Sequence, residues 1–544
     1  MSEQPPQSNG AGRKPREVDD DGKFLQREPV QPPRWALTPV AGRVLDPATA
    51  ITVRGVDPRP TVYVGPRLIV SNRLDFGEML DLLRDVGRGL GWDVEPEDEG
   101  VTGRFGVRRV RLSVRSRDAA LAPDGWTLLQ QARAKYGLER MAGVGVDHVV
   151  FAKPFDSSHP FDSSHPFDSS HPFDSSHPFD SSHPGRGGPS LAASTYAVPG
   201  SGGRQPIAFV GPRPYRRSDA ELGVRRPVVA ILDTGCAPHP WLDEVVTKDV
   251  TLDGQPIGYT DPGSAPDEVG DVTGPLDGSI DPLSGHGTFI AGLVHQACPD
   301  ADILSWRVVP SEGPIVESDW VTALDQVAEL VRRDRAGEED GQRIDVLSLS
   351  MGYYHETPQD ELFDPTLHAI LEELGRHGVI VVCSAGNDAT NRPAYPAAFA
   401  PWTDGRGPFR ADPDVVPVVS VGALNPNGTD ALFSNAGPWV RAFVPGAAVV
   451  STMPRLEGGL LPMARSWVLG RQRESIDPDD FTSGFAVWSG TSFAAPLLAG
   501  RLARALMKEL LADAGEAASL STAGAVDRAW RVVEDLTSIQ RQPG

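Results

Sequence analysis

The sequence predicts an α/β protein built on a doubly wound parallel sheet with helices on both faces, preceded by a small ferredoxin-like α+β domain. From Arg225 onward, short apolar runs such as VVAIL, IDVLSLS and VVPVVSVGA alternate with helical stretches such as SDWVTALDQVAELVRR. Strands that are apolar on both faces and separated by helices indicate a parallel sheet covered on both sides. In such a sheet, active groups gather at the carboxyl ends of the strands.

The stretch 61–152 has a different order of elements. An apolar strand at TVYVGPRLIV is followed by an amphipathic helix at GEMLDLLRDVGRGL, strands near WDV and at VRRVRLSVR, a helix at WTLLQQARAKYGL and a strand at VGVDHVVF. The order β-α-β-β-α-β is that of a ferredoxin-like sandwich. Residues 1–60 are rich in proline, glycine and charge without a hydrophobic period, so we expect them to be a disordered tail.

Between these regions the hexapeptide FDSSHP is repeated five times without error, from Phe155 to Pro184. One apolar residue in six is too few for a packed solenoid, so residues 153–205 are interpreted as a linker. The second domain is then expected at 206–540. Five histidines at a spacing of six leave a metal-binding alternative open, although no predicted fold brings them together.

The composition narrows the class of protein. The 544 residues include 51 Lys+Arg and 73 Asp+Glu, a net charge of −22. Proteins that bind nucleic acids carry a positively charged surface patch, so we do not expect this acidic chain to bind nucleic acid. No run approaches the roughly 18 apolar residues of a membrane span, and none follows the N-terminal charges as in a signal peptide. Three cysteines, Cys236, Cys298 and Cys383, fit a reducing compartment, and we expect a cytoplasmic protein.

Three motifs stand where active groups are expected. They are ILDTG at 231–235, SGHGTFIAG at 284–292 and SGTSFAAPLLAG at 489–500, and they supply Asp233, His286 and Ser492 in that order. A serine hydroxyl is a poor nucleophile at neutral pH, so an imidazole must take its proton and return it to the leaving amine. The imidazole in turn needs a fixed carboxylate on its far side. The set predicts acyl transfer with Ser492 as nucleophile, His286 as base and Asp233 as its partner.

Further stretches strengthen one particular match. They are HPWL at 239–242, SLSMG at 348–352, CSAGND at 383–388, YPAAF at 395–399, FSNAG at 433–437 and VPG at 444–446. With the three motifs, they make roughly residues 225–515 resemble the subtilisin-like serine proteases. The resemblance implies a serine endopeptidase that needs no cofactor, in which the Asn387 side chain and the Ser492 backbone N–H donate to the oxyanion. It also implies that two backbone edges pair with an extended protein or peptide substrate, namely Ser350, Met351 and Gly352 on one side and Ser384, Ala385 and Gly386 on the other.

Two features depart from the usual family pattern. The segment HGTFIAGLVHQACPDADILSW runs from helix to strand without room for the calcium loop that many members insert there, and no metal is predicted. The family usually has a short connection where this chain has the insertion 455–487, which could shape the leaving-group side of the cleft or act as a lid.

The ferredoxin-like domain is similar in topology to the family's propeptides. Our hypothesis is that residues 61–152 dock on the catalytic domain and restrain it until cleavage or partner binding. The competing hypothesis is an adaptor domain that recruits substrate. For the catalytic domain itself, a peptide cyclase or transferase would form the same acyl-enzyme, and the triad cannot discriminate it from a protease. A silent peptide-binding scaffold is disfavoured by the intact set of Asp, His, Ser and Asn.

Overall fold

The computed structural model describes two domains, one ending at residue 152 and the other beginning at residue 201. The described residues are 28–53, 58–97, 104–115, 121–152, 201–273, 280–357, 366–457, 465–474, 480–512 and 521–541, with 193 and 196 and without 30, 33, 209, 249 and 312. The FDSSHP repeats, and with them the predicted linker up to residue 192, lie outside this set. None of the described helices combines the length and the apolar character that a membrane span requires.

From residue 61 onward, the N-terminal domain has the predicted order β-α-β-β-α-β. In chain order its elements are α1 (Arg34–Leu37), β1 (Gly42–Leu45), β2 (Thr61–Ser71), α2 (Phe76–Leu90), β3 (Trp92–Pro96), β4 (Val107–Val114), α3 (Gly125–Tyr136) and β5 (Val144–Ala152). The sheet is antiparallel in the order β5-β2-β4-β3. Asp75 and Asp124 begin the two long helices by accepting the backbone N–H groups of Glu78 and Thr127, which satisfies donors that have no partner within a helix.

The disordered tail predicted for residues 1–60 is wrong for its C-terminal part. Strand β1 pairs with β2 in antiparallel register, from Gly42 opposite Val64 to Leu45 opposite Thr61. The side chain of Leu45 is buried in the core of the domain. A segment without a hydrophobic period is ordered here because β2 offers it an edge of unpaired backbone groups. Residues 1–27 of the predicted tail lie outside the described residues.

The C-terminal domain contains the predicted parallel sheet. Its strands are β6 (Gln205–Pro206), β7 (Val228–Asp233), β8 (Val246–Lys248), β9 (Asp302–Arg307), β10 (Pro314–Val316), β11 (Val346–Leu349), β12 (Met351–Gly352), β13 (Ile380–Ser384), β14 (Val419–Leu424), β15 (Ala442–Pro445), β16 (Val449–Thr452), β17 (Arg465–Val468), β18 (Arg471–Glu474) and β19 (Phe485–Trp488). Seven of them form one sheet in the order β15-β14-β13-β11-β7-β9-β8, and every neighbouring pair in it is parallel.

Helices cover both faces of this sheet. They are α4 (Asp219–Leu222), α5 (Pro266–Val269), α6 (His286–Ala297), α7 (Glu317–Ala336), α8 (Thr366–Arg376), α9 (Thr491–Ala512) and α10 (Thr522–Leu536). Successive side chains of a strand point to opposite faces. Accordingly, Ile231 packs in the core that contains residues of α6 and α9, whereas Leu232 packs in the core that contains residues of α7 and α8.

The C-terminal domain begins earlier than the predicted residue 206. Strand β6 pairs with β19, with Gln205 opposite Val487, and the side chain of Arg204 is 0% exposed. Residues 201–205, predicted as linker, are therefore part of the domain, because backbone pairing and burial of a charged side chain fix a stretch that lacks apolar residues. The insertion 455–487 contains the antiparallel hairpin β17–β18, and its residues 458–464 and 475–479 are outside the described set.

Candidate active site

Asp233 and His286 form a buried hydrogen-bonded pair. Asp233 ends β7 and His286 begins α6, and the distance between Asp233 Oδ1 and His286 Nδ1 is 2.6 Å. Gly285 precedes the helix with a φ of +84°, and a Cβ at this position would lie 2.5 Å from the Met453 side chain, so the turn requires glycine. Among the described residues, His286 Nε2 has no hydrogen-bond partner. The pair thus presents an imidazole that is oriented from one side by a carboxylate.

Ser492 is the second residue of helix α9, and the residue that follows it contacts this imidazole. The ring of the following residue, Phe493, packs on the His286 ring with centroids 5.3 Å apart. The Ser492 hydroxyl donates to the backbone carbonyl of Ser350 at 3.2 Å. Because Pro496 has no N–H for the carbonyl four residues before it, the Ser492 carbonyl instead accepts the Ser350 hydroxyl at 2.8 Å. These two bonds fix the start of the helix against the end of β11.

The Asn387 side chain is oriented by the residue that precedes Ser492. Asn387 Oδ1 accepts both the backbone N–H of Thr491 at 2.9 Å and its hydroxyl at 2.8 Å. Since the carbonyl end of the amide is held there, its NH2 end is directed to the other side. The first N–H groups of a helix also have no partner within the helix, and Ser492 is at such a position in α9. The start of α9 therefore offers a backbone N–H at Ser492, and the Asn387 amide is held against the residue before it.

A narrow cleft opens at the predicted substrate edges. Its lining includes Ser350, Met351, Gly352, Ser384, Gly386, Tyr354, Asp388, Thr491, Ser492 and Phe151. Of the predicted substrate-binding residues, Ala385 is not part of this lining. Its N–H donates to the Val421 carbonyl, and its carbonyl accepts from the Asn435 side chain, each at 2.9 Å, so both backbone groups of Ala385 are used inside the domain.

A strand of the N-terminal domain lies on the same edge. The C-terminal end of β5 pairs in antiparallel register with β12, with Ala152 opposite Met351 and Phe151 opposite Gly352. On its other side β5 pairs with β10, with Phe151 opposite Pro314. Residues of β5 thus occupy the position between β10 and β12 that an added peptide strand would occupy.

Polar contacts at the start of helix α7 extend this interface. Asp147 of β5 accepts the backbone N–H of Ser318 at 3.0 Å and its hydroxyl at 2.8 Å. Arg109 of β4 forms an ion pair with Asp319 at 2.6 Å. Burial raises the pKa of Asp147 to about 7. The N-terminal domain is thus attached to the C-terminal domain through specific hydrogen bonds as well as through strand pairing.

Asp267 is a buried carboxylate that the sequence did not indicate. Its Oδ1 accepts the Thr234 hydroxyl at 2.7 Å and the Gly285 N–H at 3.0 Å. Its Oδ2 accepts the N–H and the hydroxyl of Thr288, at 2.8 and 2.6 Å. Burial raises the pKa of Asp267 to about 6. The side chain ties the residue after Asp233 to the residues around His286, yet its surroundings, SAPDEVGDV, have the composition of an exposed acidic loop.

Arg204 is a second residue that the sequence did not indicate. Its Nη1 donates to the carbonyls of Asp281 and Ser284, both at 3.0 Å, just before helix α6. Its guanidinium carbon lies 4.8 Å from the ring centroid of Trp488. The Trp488 ring meets the His286 ring edge-on, with centroids 5.8 Å apart. No motif surrounds Arg204, and its Gly/Ser-rich neighbourhood favoured a linker.

The three cysteines and His239 have structural surroundings. All three thiols are buried and free of disulfides, and burial raises the pKa of Cys236, the one nearest Asp233 in sequence, to about 12. A thiol with so high a pKa is protonated at neutral pH and is a weak nucleophile. His239 Nε2 lies 2.9 Å from the carbonyl of Gly484, a contact that joins two loops.

Several known proteins and one protein family are similar to this chain. A family model described as "Subtilase family" matches residues 225–524. The intracellular serine protease of Paenibacillus polymyxa is 27% identical over 297 residues, which cover 52% of this chain and 66% of that protein. The major intracellular serine protease of Bacillus subtilis (strain 168) is 25% identical over 291 residues, which cover 51% and 66%. Each match spans just under two thirds of the relative's length. Among solved structures, a lanthipeptide protease is similar at 21% identity and a TM-score of 0.37, over 55% of this chain and 78% of that one.

Proposed function

The chain belongs to the subtilase family, whose model matches more than half of its residues, and from this premise we propose that it is a serine endopeptidase. Its substrates are proteins or peptides, and Ser492 is the nucleophile, His286 the general base and Asp233 the carboxylate that orients the base. The observation that carries the proposal is the buried bond of 2.6 Å between Asp233 and His286, together with the packing of Phe493, the residue after Ser492, on the His286 ring.

The reaction begins when the Ser492 hydroxyl turns from the Ser350 carbonyl toward His286 Nε2. The imidazole takes the hydroxyl proton while Oγ attacks the carbonyl carbon of the scissile bond. Asp233 holds the ring in the required tautomer and stabilises its positive charge. The proton then passes to the leaving amine, an acyl-enzyme forms on Ser492, and a water molecule activated by His286 hydrolyses it.

Asn387 and the Ser492 backbone N–H stabilise the tetrahedral intermediate. Negative charge develops on the former carbonyl oxygen, and donors that are already oriented toward it lower the barrier without reorganisation. The two bonds from Thr491 to Asn387 Oδ1 support this role because they fix the amide before substrate arrives. The start of α9 adds a favourable helix dipole.

The substrate binds as an extended strand on β12, and we place β10, rather than the predicted Ser384–Gly386, on its other side because β5 pairs with both β10 and β12. Main-chain hydrogen bonds give affinity that does not depend on sequence, and pockets for alternate side chains give selectivity. Met351 and Gly352 belong to one edge, and Ser350, Ser384 and Gly386 line the adjoining cleft.

Residues 61–152 restrain the enzyme. Strand β5 uses the backbone edges of β10 and β12 that a substrate strand needs, so the two cannot bind there together. The contacts of Asp147 with Ser318 and of Arg109 with Asp319 support docking of this domain in the uncleaved chain. Activity then requires cleavage of the chain or release of β5. An adaptor role would instead leave this edge open while the domain is attached.

The protein acts inside the cell. Three cysteines that are all free and buried support a reducing compartment,. The similar proteins from Paenibacillus polymyxa and Bacillus subtilis are named intracellular proteases.

Purification of the native chain beside Ser492→Ala tests the activity. We expect the native protein to hydrolyse a denatured protein substrate, and N-terminal sequencing to show processing that Ser492→Ala lacks. Mass spectrometry of the products distinguishes hydrolysed ends from the loss of water that a cyclase would cause. A native protein that hydrolyses no peptide bond would contradict the proposal.

Asp147→Ala tests the restraint separately. Loss of the two bonds to Ser318 should raise the initial activity of the uncleaved chain or speed its processing. The matched control is Asp81→Ala, a carboxylate on the same domain whose side chain is 79% exposed. If uncleaved native chain is already fully active and Asp147→Ala changes nothing, the restraint is wrong while the protease activity stands.

A further inference from the structure

A group of imidazoles and carboxylates is buried where the two domains meet, outside the site described above. His148 of β5 lies between Glu317, the first residue of α7, and Glu356, which follows β12. Its Nδ1 is 2.6 Å from Glu317 Oε2, and its Nε2 is 2.7 Å from Glu356 Oε2. The N-terminal domain thus inserts an imidazole between two carboxylates of the C-terminal domain.

His355 completes the group. Its ring centroid is 5.1 Å from that of His148, and its Nδ1 is 3.7 Å from Glu356 Oε2. Each of the residues His148, His355 and Glu356 offers one ligand atom, a ring nitrogen or a carboxylate oxygen. These three atoms all lie within 4.8 Å of one another. The three residues are 3%, 5% and 1% exposed. Two imidazoles and a carboxylate therefore converge in a place that is closed to solvent.

We infer that His148, His355 and Glu356 bind a Zn²⁺ ion that links the N-terminal domain to the C-terminal domain. Zinc takes imidazole nitrogens and carboxylate oxygens at about 2.0–2.2 Å, usually with four ligands in a tetrahedron. Ligand atoms in such a site are roughly 3.3 Å apart. The distances of 2.7 and 3.7 Å around Glu356 Oε2 lie on either side of this value, and all three ligand atoms lie within 4.8 Å of one another, so zinc binding requires the side chains to draw closer together.

Glu317 supplies the outer carboxylate of the site. A histidine that binds zinc through one nitrogen commonly donates its other N–H to a carboxylate, which fixes the tautomer and the ring orientation. The bond of 2.6 Å from His148 Nδ1 to Glu317 Oε2 provides this contact and leaves Nε2 toward Glu356 and His355. A water molecule can take the fourth position.

Two groups compete with the ion for the ligand atoms. The lone pair of His355 Nδ1 now accepts the backbone N–H of Thr357 at 3.0 Å, and zinc would have to displace that hydrogen bond. A proton on His148 would also bridge Glu317 and Glu356 without any metal. Zinc binding therefore releases a proton, as expected for metal sites built on histidine.

A metal at this position would strengthen the restraint described above, and this role rests on the docking of β5. Only His148 comes from the N-terminal domain, and the other two ligands come from the C-terminal domain. Zinc would hold β5 on β10 and β12, and removal of the metal would loosen it. The ion would thus couple metal availability to release of the substrate edge.

The test uses the full-length Ser492→Ala chain, which cannot process itself by the proposed mechanism. Asparagine replaces the five repeat histidines, His159, His165, His171, His177 and His183, because they could bind zinc independently. Calorimetry with Zn²⁺ should give one equivalent of tight binding. His355→Ala and Glu356→Gln should each weaken it by about 100-fold or more, and Glu317→Gln by about 10- to 100-fold. The matched control is Glu338→Gln, a carboxylate just beyond α7 with a side chain 47% exposed.

Co²⁺ is a second probe, used on the same Ser492→Ala chain with the repeat histidines replaced. We expect the intense visible absorption of a tetrahedral cobalt site, abolished by added Zn²⁺. Hydrogen exchange of residues 144–152, with and without Zn²⁺, reports docking, and zinc should slow it. No stoichiometric binding, or binding unchanged in both His355→Ala and Glu356→Gln, would overturn the site. If zinc does not bind but the amides of residues 144–152 are still protected from exchange, β5 is docked without metal and the proposed restraint stands. If they exchange freely with and without metal, both the zinc link and the restraint are wrong.

Discussion

The guanidinium of Arg204 lies over the ring of Trp488, which meets the His286 ring edge-on. Arg204 also holds the carbonyls of Asp281 and Ser284 immediately before the helix that carries His286. One side chain from the segment after the repeats therefore contacts both the strand that leads to Ser492 and the loop that leads to His286. We expect Arg204 to act as a positioning residue, because it reaches the imidazole only through these neighbours.

Arg204→Met should lower kcat about 10-fold and change KM less than about 2-fold, because small displacements of a catalytic group lower the rate more than they weaken binding. Steady-state kinetics on a peptide and the pH profile of kcat/KM measure the effect, and we expect the profile to shift. Arg213→Met is the control, since Arg213 pairs with Glu244 at the surface. An unchanged kcat and pH profile in a folded Arg204→Met would remove Arg204 from this role.

Asp267→Asn should impair the alignment of Asp233 and His286. The carboxylate accepts four hydrogen bonds, and an amide cannot accept at both ends. We expect kcat to fall about 10- to 100-fold and the free energy of unfolding to fall by about 1–3 kcal/mol. Kinetics and chemical denaturation measure the two effects.

The neighbouring Glu268→Gln is the control for Asp267→Asn. Glu268 faces Lys248 at 3.6 Å with its side chain 48% exposed, and such surface pairs contribute little. Equal effects of the two substitutions would argue against a specific role for Asp267.

Asn387→Ala should lower kcat by about 10²–10³-fold with little change in KM, because the donor acts on charge that exists only in the transition state. This magnitude is the one known for the oxyanion donor of subtilisin and is carried over to this chain. Asn427→Ala, in an exposed turn, should leave kcat unchanged. A loss confined to KM would assign Asn387 to substrate binding instead.

The stability of the fold should decrease in acid partly through His295. Burial, assisted by the charges of Arg216 and Arg213 and opposed by Asp300, lowers the pKa of His295 to about 4. The unfolded chain, with an ordinary pKa near 6.5, binds this proton first as the pH falls. The free energy of unfolding is therefore unaffected by His295 above about pH 6.5. It decreases as the pH falls from 6.5 toward 4, because only the unfolded chain binds the proton in that range.

The comparison of His295→Leu with its parent isolates this contribution. In the Ser492→Ala background, the free energy of unfolding of the parent should fall by about 2 kcal/mol more than that of His295→Leu between pH 7.5 and pH 5. Denaturant titrations at the two pH values measure the difference. Parallel losses in both proteins would show that His295 is not protonated on unfolding.

The sequence predicts the parts of the fold that depend on local pattern. Apolar runs on both faces identify β7, β11 and β13, and the Asp, His and Ser motifs lie at the strand and helix ends where active groups gather. Strand β1 and the segment around Arg204 were not predicted, because partners distant in sequence hold them in place. Strand β1 is ordered by pairing with β2, and the Arg204 segment is ordered by pairing with β19 and by contact with Trp488. A Gly- and Ser-rich segment gives no local sign that another strand will pair with it.

In the candidate active site, too, the sequence identifies residues within motifs but not residues that only the fold brings together. Asp233, His286 and Ser492 stand in recognisable motifs, whereas Asp267 acts through four donors that come from three separate positions in the chain. Ala385 lies in a motif that suggests a substrate edge, yet Val421 and Asn435 already use its backbone groups. Likewise, His148 and His355 are separated by about two hundred positions, and only the docking of β5 brings them together.

Covalent labelling of the processed enzyme with a fluorophosphonate probe tests the central claim most directly. We expect one label per chain, located on Ser492 by peptide mass spectrometry, with peptide hydrolysis lost in proportion to labelling. His286→Ala should neither label nor hydrolyse at a measurable rate. Hydrolysis that persists in Ser492→Ala, or a label on another residue that accounts for the loss of activity, would contradict the account.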